Sequence, residues 1–409
     1  MRTYKRELYL NKIRNFYNDT GLIKIITGVR RCGKSCIMHS IYNELKDSGV
    51  PEENLTFIDL ETYGYKNITT SPELENVINH ECSAPGIRYL FIDEIQNVEN
   101  FEILINSYRA EGNYSIFITG SNSYLLSSEI STKLTGRYIP FEIHTLTFKE
   151  FLGMKKFYKK SDLSLTEEFE EFMRYGGFPK VCEYDDVGAK DKYIKTLVEE
   201  IFIKDIKRRV KINNIDTFNT VRDYMINNFG SPTSVANITR ELNKQGVAIK
   251  QLTVARYIQI LVDAKILYEC KNFDLKSKRM LSGNKKYYLS DVGFYFASNS
   301  DKRMSYGQIL ENIVYIYANA YDYDVSVGKI GKLECDFILH GNDAQYAYVQ
   351  VTYMMLDSLE TENREYRPLE KIPDNYPKYV MSNDIFIQRR NGIKHVNIPE
   401  FMSDGNTFE

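Results

Sequence analysis

Residues 28–35, Gly-Val-Arg-Arg-Cys-Gly-Lys-Ser, stand between the apolar run LIKIIT (22–27) and the helical pattern CIMHSIYNEL. A buried strand that ends in a glycine turn and passes directly into a helix is the arrangement this spacing serves. Gly28 opens the turn and Gly33 lets the backbone approach a phosphate. Lys34 can reach β- and γ-phosphates, and Ser35 offers a hydroxyl to Mg²⁺ where free amides and the helix dipole favour anions. Val29, Arg30, Arg31, Cys32 and Cys36 complete the stretch expected to line ATP or ADP. Ordinary residue frequencies would produce G-x-x-x-x-G-K-[ST] in a chain of this length on the order of one time in a hundred. The arginine pair inside the loop is unusual. Arg30 and Arg31 could pair with phosphates, with nearby acids, or with a neighbouring subunit, and spacing does not choose among these.

Such a loop needs a second strand that ends in a carboxylate. RYLFIDEIQNV (88–98) is a continuous apolar run ending in Asp93-Glu94. Asp93 would accept from Mg²⁺-bound water and Glu94 would polarise the attacking water. A third run, YSIFITGSNS (114–123), ends in Thr119, Ser121 and Asn122. These are polar side chains where a γ-phosphate sensor would sit, and Asn122 is the candidate, although such residues also serve as ordinary caps. NLTFIDLET (54–62) is a further strand. Strands separated by helical patterns imply an α/β, doubly wound parallel sheet with its ligand at the carboxyl ends.

A length of 409 residues suggests two or three domains. A net charge of -2 excludes a protein that coats nucleic acid by bulk charge, so any contact with DNA must be a local patch. The six scattered cysteines include no C-x-x-C pair, and neither a disulfide framework nor a zinc site is expected. The N-terminal residues lack the apolar core of a signal peptide, and no apolar run of about 18 residues exists to cross a membrane. A reduced, cytoplasmic protein is expected.

The motifs GVRRCGKS, FIDEIQ, ITGSNSYLLS, LTGRY, LTFKEF and YGGFP occur in this order. In this the chain resembles, over essentially its whole length, the AAA-type P-loop ATPases of bacteria and archaea that carry a C-terminal domain of unknown function. The resemblance implies an AAA-like core over 1–150, followed by a helical lid and connecting helix over 151–212. It also makes Arg137 a candidate phosphate-sensing or neighbour-reaching arginine, though an ordinary surface arginine fits as well. Gly176-Gly177-Phe178-Pro179 resembles the G-x-P element of the signal-transduction branch, in which the proline packs on adenine. A Gly-Pro turn has the same composition.

Between 213 and 300 three helical patterns precede two strand-like runs, the order of a winged helix-turn-helix. Were it to read double-stranded DNA, the third helix would present Lys250, Gln251, Thr253 and Arg256. The hairpin tip LKSKRMLSGNKK would lay Lys276, Lys278, Arg279, Lys285 and Lys286 on phosphates. A solvated basic loop, with the module packed on the ATPase, is the alternative.

From 301 to 409 an amphipathic helix carrying Glu311 is followed by the strand LECDFILHG and then by YAYVQVTY. Glu334 and Asp336 fall on one face of the first of these strands. An acid on a helix, an acid on one strand and a polar residue on the next is how restriction-endonuclease-like α/β folds hold Mg²⁺, and the family resemblance implies this fold too. Where acid-x-lysine is required the chain has Gln350-Val351-Thr352. That gap points to an inactive domain used for folding, docking or gripping nucleic acid.

The expectation is therefore a Mg²⁺-dependent ATPase whose nucleotide state repositions the later domains. Its alternative is a slow nucleotide-gated switch whose output is a protein partner. An ATP-dependent nuclease is less favoured, and homo-oligomers are in keeping with the resemblance.

Overall fold

In the computed structural model the described residues are 3–120, 134, 136–160, 163–207, 212, 214–299, 306–342, 345–355 and 358–409. The chain divides into two units, residues 1–144 and 145–409. Ser121 and Asn122 lie outside the described residues.

In the first unit, α1 (Glu7–Ile13) leads to β1 (Ile23–Thr27), whose five residues are all buried. The other strands are β2 (Leu55–Asp59), β3 (Arg88–Asp93), β4 (Tyr114–Thr119) and β5 (Tyr138–Glu142). They pair in the order β2-β3-β4-β1-β5, every pair parallel. Parallel neighbours need long crossovers. These contain α2 (Lys34–Asp47), α3 (Ser71–Glu81) and α4 (Phe101–Glu111). A sheet covered on both faces has no polar side, which is why its strands read as continuous apolar runs. Pro140 sits in the edge strand, where a missing amide is tolerated. Phe57, Phe91 and Phe117 stack across β2, β3 and β4 with centroids 5.8 and 4.8 Å apart. In register, Ile26 faces Thr119 and Ile92 faces Ile118. The glycine loop, Asp93-Glu94 and Thr119 thus emerge side by side at the carboxyl edge.

The second unit begins with α5 (Phe148–Phe157), α6 (Leu165–Tyr175) and α7 (Val187–Ile201). Capping boxes at Thr147/Glu150 and Ser164/Glu167 start the first two. Three helices follow, α8 (Ile215–Asn227), α9 (Val235–Lys244) and α10 (Gln251–Asp263), then the hairpin β6 (Leu267–Asp274) and β7 (Arg279–Leu289). The C-terminal elements are α11 (Gly293–Ser298), α12 (Tyr306–Ala320), β8 (Asp324–Ile330), β9 (Leu333–His340), β10 (Tyr346–Val351), α13 (Leu359–Glu370), β11 (Lys378–Ser382), β12 (Arg389–Arg390), β13 (Ile393–Asn397) and α14 (Ile398–Asp404). Asn391 and Gly392, with φ of 51° and 76°, make the tight turn between β12 and β13 expected of an Asn-Gly pair.

All eight strands form one sheet, β12-β13-β11-β10-β9-β8-β6-β7, with β6 parallel to β8. The hairpin that precedes residue 300 is therefore an extension of the C-terminal sheet. It also turns earlier than the basic run implies. The turn occupies residues 275–278, and the rest of the run lies in β7, where the register shifts opposite Cys270 and Asn272.

Candidate nucleotide site

Gly28 has φ of +142°, and a Cβ on it would stand 2.2 Å from the carbonyl oxygen of Ile143 and 2.8 Å from Cys32 Sγ. Only glycine fits. Gly33, at φ +106°, is the N-cap of α2, whose first amides carry no side-chain cap. An uncapped helix N-terminus at the mouth of a loop is an anion site in waiting. Lys34 is buried, and its Nζ donates to the carbonyls of Gly28 (3.0 Å) and Val29 (3.4 Å). The ammonium is thereby held inside the curve of the loop. Ser35 is the second residue of α2 and half-buried, whereas Arg31 (φ +67°) and Cys36 are exposed. The Cys32 thiol is fully buried and pushed up by that burial.

One loop contact was invisible in the sequence. Arg6, 3% exposed, donates from one guanidinium nitrogen to the carbonyls of Cys32 and His144, both at 2.9 Å. It pins the loop to the segment after β5. Its only local signal was an arginine before an amphipathic helix, which does not distinguish it from any surface arginine.

Asp93 is buried at the end of β3 and accepts from the Thr119 hydroxyl. The same Thr119 oxygen accepts from the Glu94 amide at 3.0 Å. One hydroxyl at the end of β4 thus ties the two acids together. Glu94 has φ 58° and ψ 43°, a left-handed conformation that costs a non-glycine residue on the order of 1 kcal/mol and turns its side chain away from the strand direction. Glu94 Oε2 accepts from the Gln96 amide, and Oε1 lies 4.0 Å from the Arg30 guanidinium, which also reaches Glu61 Oε1 at 2.9 Å.

Of the other expected site residues in the first unit, Arg137 stands apart from the loop. Arg137 is exposed and immediately precedes β5, whose Tyr138 pairs with Ile23 at the start of β1. Five residues of strand, about 16 Å, separate that level from the loop, so Arg137 is not brought to Lys34 within the chain. Pro179 belongs to the second unit, where its neighbours have a visible task. Gly176 and Gly177 pack on the fully buried Asp291: a Cβ on Gly176 would meet Asp291 Oδ1 at 1.7 Å, and the Gly177 amide donates to Oδ2 at 2.8 Å. The Gly293 amide donates to Oδ1 at 2.8 Å. Burial nevertheless pushes the Asp291 carboxyl up to about 6.

On the hairpin, Lys276, Lys278 and Arg279 are exposed, as are Lys250, Gln251 and Arg256, with Thr253 half-buried. Lys285 and Lys286 are not free for phosphates. Lys285 pairs with Glu269 at 2.8 Å, and the buried Lys286 bridges Glu311 and Glu334, each at 2.8 Å. Although burial opposes it, Glu311, Asp336 and Glu334 hold the Lys286 ammonium well above the ordinary lysine value.

Glu311, Glu334, Asp336, Gln350 and Thr352 do converge, lining one cavity of about 420 Å³ together with Glu365. Asp336 is pushed well up by burial and by Glu311. Gln350 donates to Glu365 Oε2 at 2.9 Å, and Asp336 Oδ2 accepts from the Val351 amide at 2.8 Å. Among the described residues no group of three or more His, Cys, Asp or Glu is arranged to hold a metal ion. Nor is any helix among them long and apolar enough to cross a membrane.

Residues 20–152 match the AAA domain family, and residues 166–304 match a domain of unknown function, DUF8612. An uncharacterized protein of Haemophilus influenzae is 32% identical over 400 residues, which are 97% of this chain and 98% of that one. The uncharacterized protein MJ1544 of Methanocaldococcus jannaschii is 32% identical over 360 residues, covering 85% of this chain and 78% of its own. In fold, the chain is similar to the Walker-type ATPase PABY2304 of Pyrococcus abyssi, with a TM-score of 0.51 at 16% identity over 72% of this chain and 96% of the other. With a glycine loop, paired acids and parallel sheet in the arrangement these likenesses imply, the chain belongs to one family with the H. influenzae protein and MJ1544, and it carries an AAA-type P-loop ATPase core.

Proposed function

We propose that the chain binds ATP and hydrolyses it with Mg²⁺, using the nucleotide state to reposition its later domains. The observation that carries this reading is the grouping of Lys34, Asp93 and Glu94 at one edge of the sheet, with Thr119 bonded to both acids. The donor set suits the ligands: a buried ammonium and uncapped helix amides for phosphate, and a hydroxyl and a carboxylate, both hard oxygens, for the ion. Lys34 would bind the β- and γ-phosphate oxygens, and the α2 amides would bind the anion. Ser35 and Asp93 would hold Mg²⁺, which supplies charge neutralisation on the phosphates. Glu94 would orient the attacking water and take its proton. Asn122 would sense the γ-phosphate, Pro179 would pack on adenine, and Arg137, exposed at the opposite edge of the sheet, would serve a neighbouring copy.

The proposed organisation is an ATPase core over 1–150, a lid and connector over 151–212, a winged helix over 213–300 and an endonuclease-like domain over 301–409. Exposed Lys276, Lys278 and Arg279 at the hairpin turn favour duplex DNA as the effector, with a protein partner as the alternative. For the last domain we favour a non-hydrolytic role, because Lys286 neutralises Glu311 and Glu334, and Gln350 stands where the fold requires an acid. Metal-dependent plasmid nicking that disappears in Asp336→Ala would overturn that part.

The deciding experiment is steady-state ATP turnover by the full chain, with and without duplex DNA, using Glu94→Gln as the blank. Turnover that stops in Glu94→Gln while nucleotide binding persists is the expected result. Lys34→Ala should lose detectable binding, and normal affinity in that variant would remove the phosphate-loop assignment. Stimulation by DNA would make the hairpin module a reader, whereas indifference would shift the output to a protein.

A further inference from the structure

The loop arginine that spacing alone could not place has a partner that matters for the reaction. Arg30 is the second residue after Gly28, on the same turn as Lys34, and its side chain is 9% exposed. Its guanidinium reaches Glu61 at 2.9 Å and lies 4.0 Å from Glu94 Oε1, while the other Glu94 oxygen accepts from Gln96. The carboxylate assigned to water activation is thus hydrogen-bonded on one oxygen and, on the other, faces at ion-pair distance a cation that belongs to the phosphate loop itself.

We propose that Arg30 is a positioning residue that latches Glu94 and exchanges it for the γ-phosphate of ATP. A guanidinium is a planar fork matched to phosphate as well as to carboxylate, and it favours the partner with more charge and more acceptor oxygens. A γ-phosphate offers both, so its arrival draws Arg30 off Glu94. Glu61 is the pivot that keeps the guanidinium near the loop in either position. Glu94 Oε1 is then open to a water at the moment when the phosphate to be attacked is present. ADP lacks the competing group and leaves the latch closed. The inference rests on the reading of Glu94 as the water-activating residue.

The test is a binding cycle that needs no turnover. Full-length protein, Glu94→Gln, Arg30→Gln and the double variant are titrated with Mg²⁺-ADP and with a non-hydrolysable β,γ-imido ATP analogue. Glu94→Gln removes the charge that holds Arg30, so the ATP analogue should bind about fivefold tighter, with ADP within twofold of the parent. In the Arg30→Gln background that gain should vanish. Arg30→Gln alone should weaken the analogue by about tenfold and spare ADP. A gain that persists without Arg30 would mean simple relief of charge repulsion and would overturn the latch. So would equal losses for ADP and analogue in Arg30→Gln, the signature of a damaged loop, or no change in either. Turnover by Glu94→Gln is read separately: if it continues, the base assignment fails, while the binding cycle still decides whether Arg30 couples Glu94 to the γ-phosphate.

Discussion

Replacing Arg6 by alanine should damage the first unit more than any exposed arginine could. Its guanidinium nitrogen makes two hydrogen bonds of 2.9 Å to the carbonyls of Cys32 and His144, and the group lies 4.5 Å from the Tyr9 ring. A charge-assisted hydrogen bond contributes about 1.5–3 kcal/mol, and a buried acceptor stripped of its donor costs about 1–3 kcal/mol. Two such bonds set an upper range of about 3–6 kcal/mol. Shared strain and entering water reduce this, so we expect Arg6→Ala to cost about 3–4 kcal/mol. Arg6→Lys, with a shorter reach and a single ammonium, should lose about half as much. Because Cys32 belongs to the phosphate loop, the loop also loses preorganisation, and nucleotide affinity should fall by about tenfold. The chain contains no tryptophan and has two units, so a global fluorescence melt would blur the result. Hydrogen exchange of the β1 and β4 amides under increasing urea reads the first unit alone. A loss below about 1 kcal/mol with unchanged nucleotide affinity would refute the claim that Arg6 pins the loop.

Three other outcomes are expected. The buried Asp291 carboxyl is raised from 3.8 to about 6, so the unfolded chain ionises first as pH rises. Stability of the second unit should then fall by about 3 kcal/mol between about pH 4 and pH 6 and stay level above; urea titrations of Asp291→Asn should lack that slope. Lys286→Ala strands Glu311 and Glu334 without their cation and should cost about 3–5 kcal/mol; this is measured by exchange of the β7 and β9 amides, and Lys286→Ala/Glu311→Gln should recover part of it. If Lys276, Lys278 and Arg279 clamp duplex phosphates, their joint replacement by alanine should lower the slope of log affinity against log salt by about 2.7. An unchanged slope would rule the clamp out.

The ATPase core was legible because its signals are local. A glycine that tolerates no Cβ, a lysine six residues on from it, and apolar runs that end in acids each report a short-range constraint. Where a side chain answers to something distant in sequence, the reading ran out. Lys24 sits inside the apolar run, where its type alone gives no sign of its surroundings. Its ammonium is in fact buried against Ser115 Oγ at 3.0 Å and the Phe117 ring at 4.7 Å, and burial lowers its pKa to about 7. Gly176-Gly177 matched a nucleotide-contacting element by composition, and spacing could not show what constrains them: Gly176 is held free of a Cβ by a carboxylate more than a hundred residues downstream, and Gly177 by the Leu146 carbonyl, which a Cβ would meet at 2.3 Å. Arg137 carries the right chemistry, yet the parallel register sets it at the amino edge of the sheet, a fact that belongs to strand pairing and not to spacing.

The gap at Gln350-Val351-Thr352 shows the same limit from the other side. Read along the strand, an acid and a lysine are missing. Read in space, both residue types stand beside the cavity, each arriving from another element. Glu365 comes from α13 and is held by Gln350 itself, and Lys286 comes from the hairpin that joins this sheet through β8. The lysine occupies the acids: it satisfies Glu311 and Glu334 together, and the Tyr288 hydroxyl adds a bond of 2.6 Å to Glu311. An ammonium in that position does for the carboxylates electrostatically what a cation would do, and it fastens the hairpin to α12 and β9. Bridging two half-buried acids, one on α12 and one on β9, it adds a side-chain tie to the backbone pairing that already joins β6 to β8.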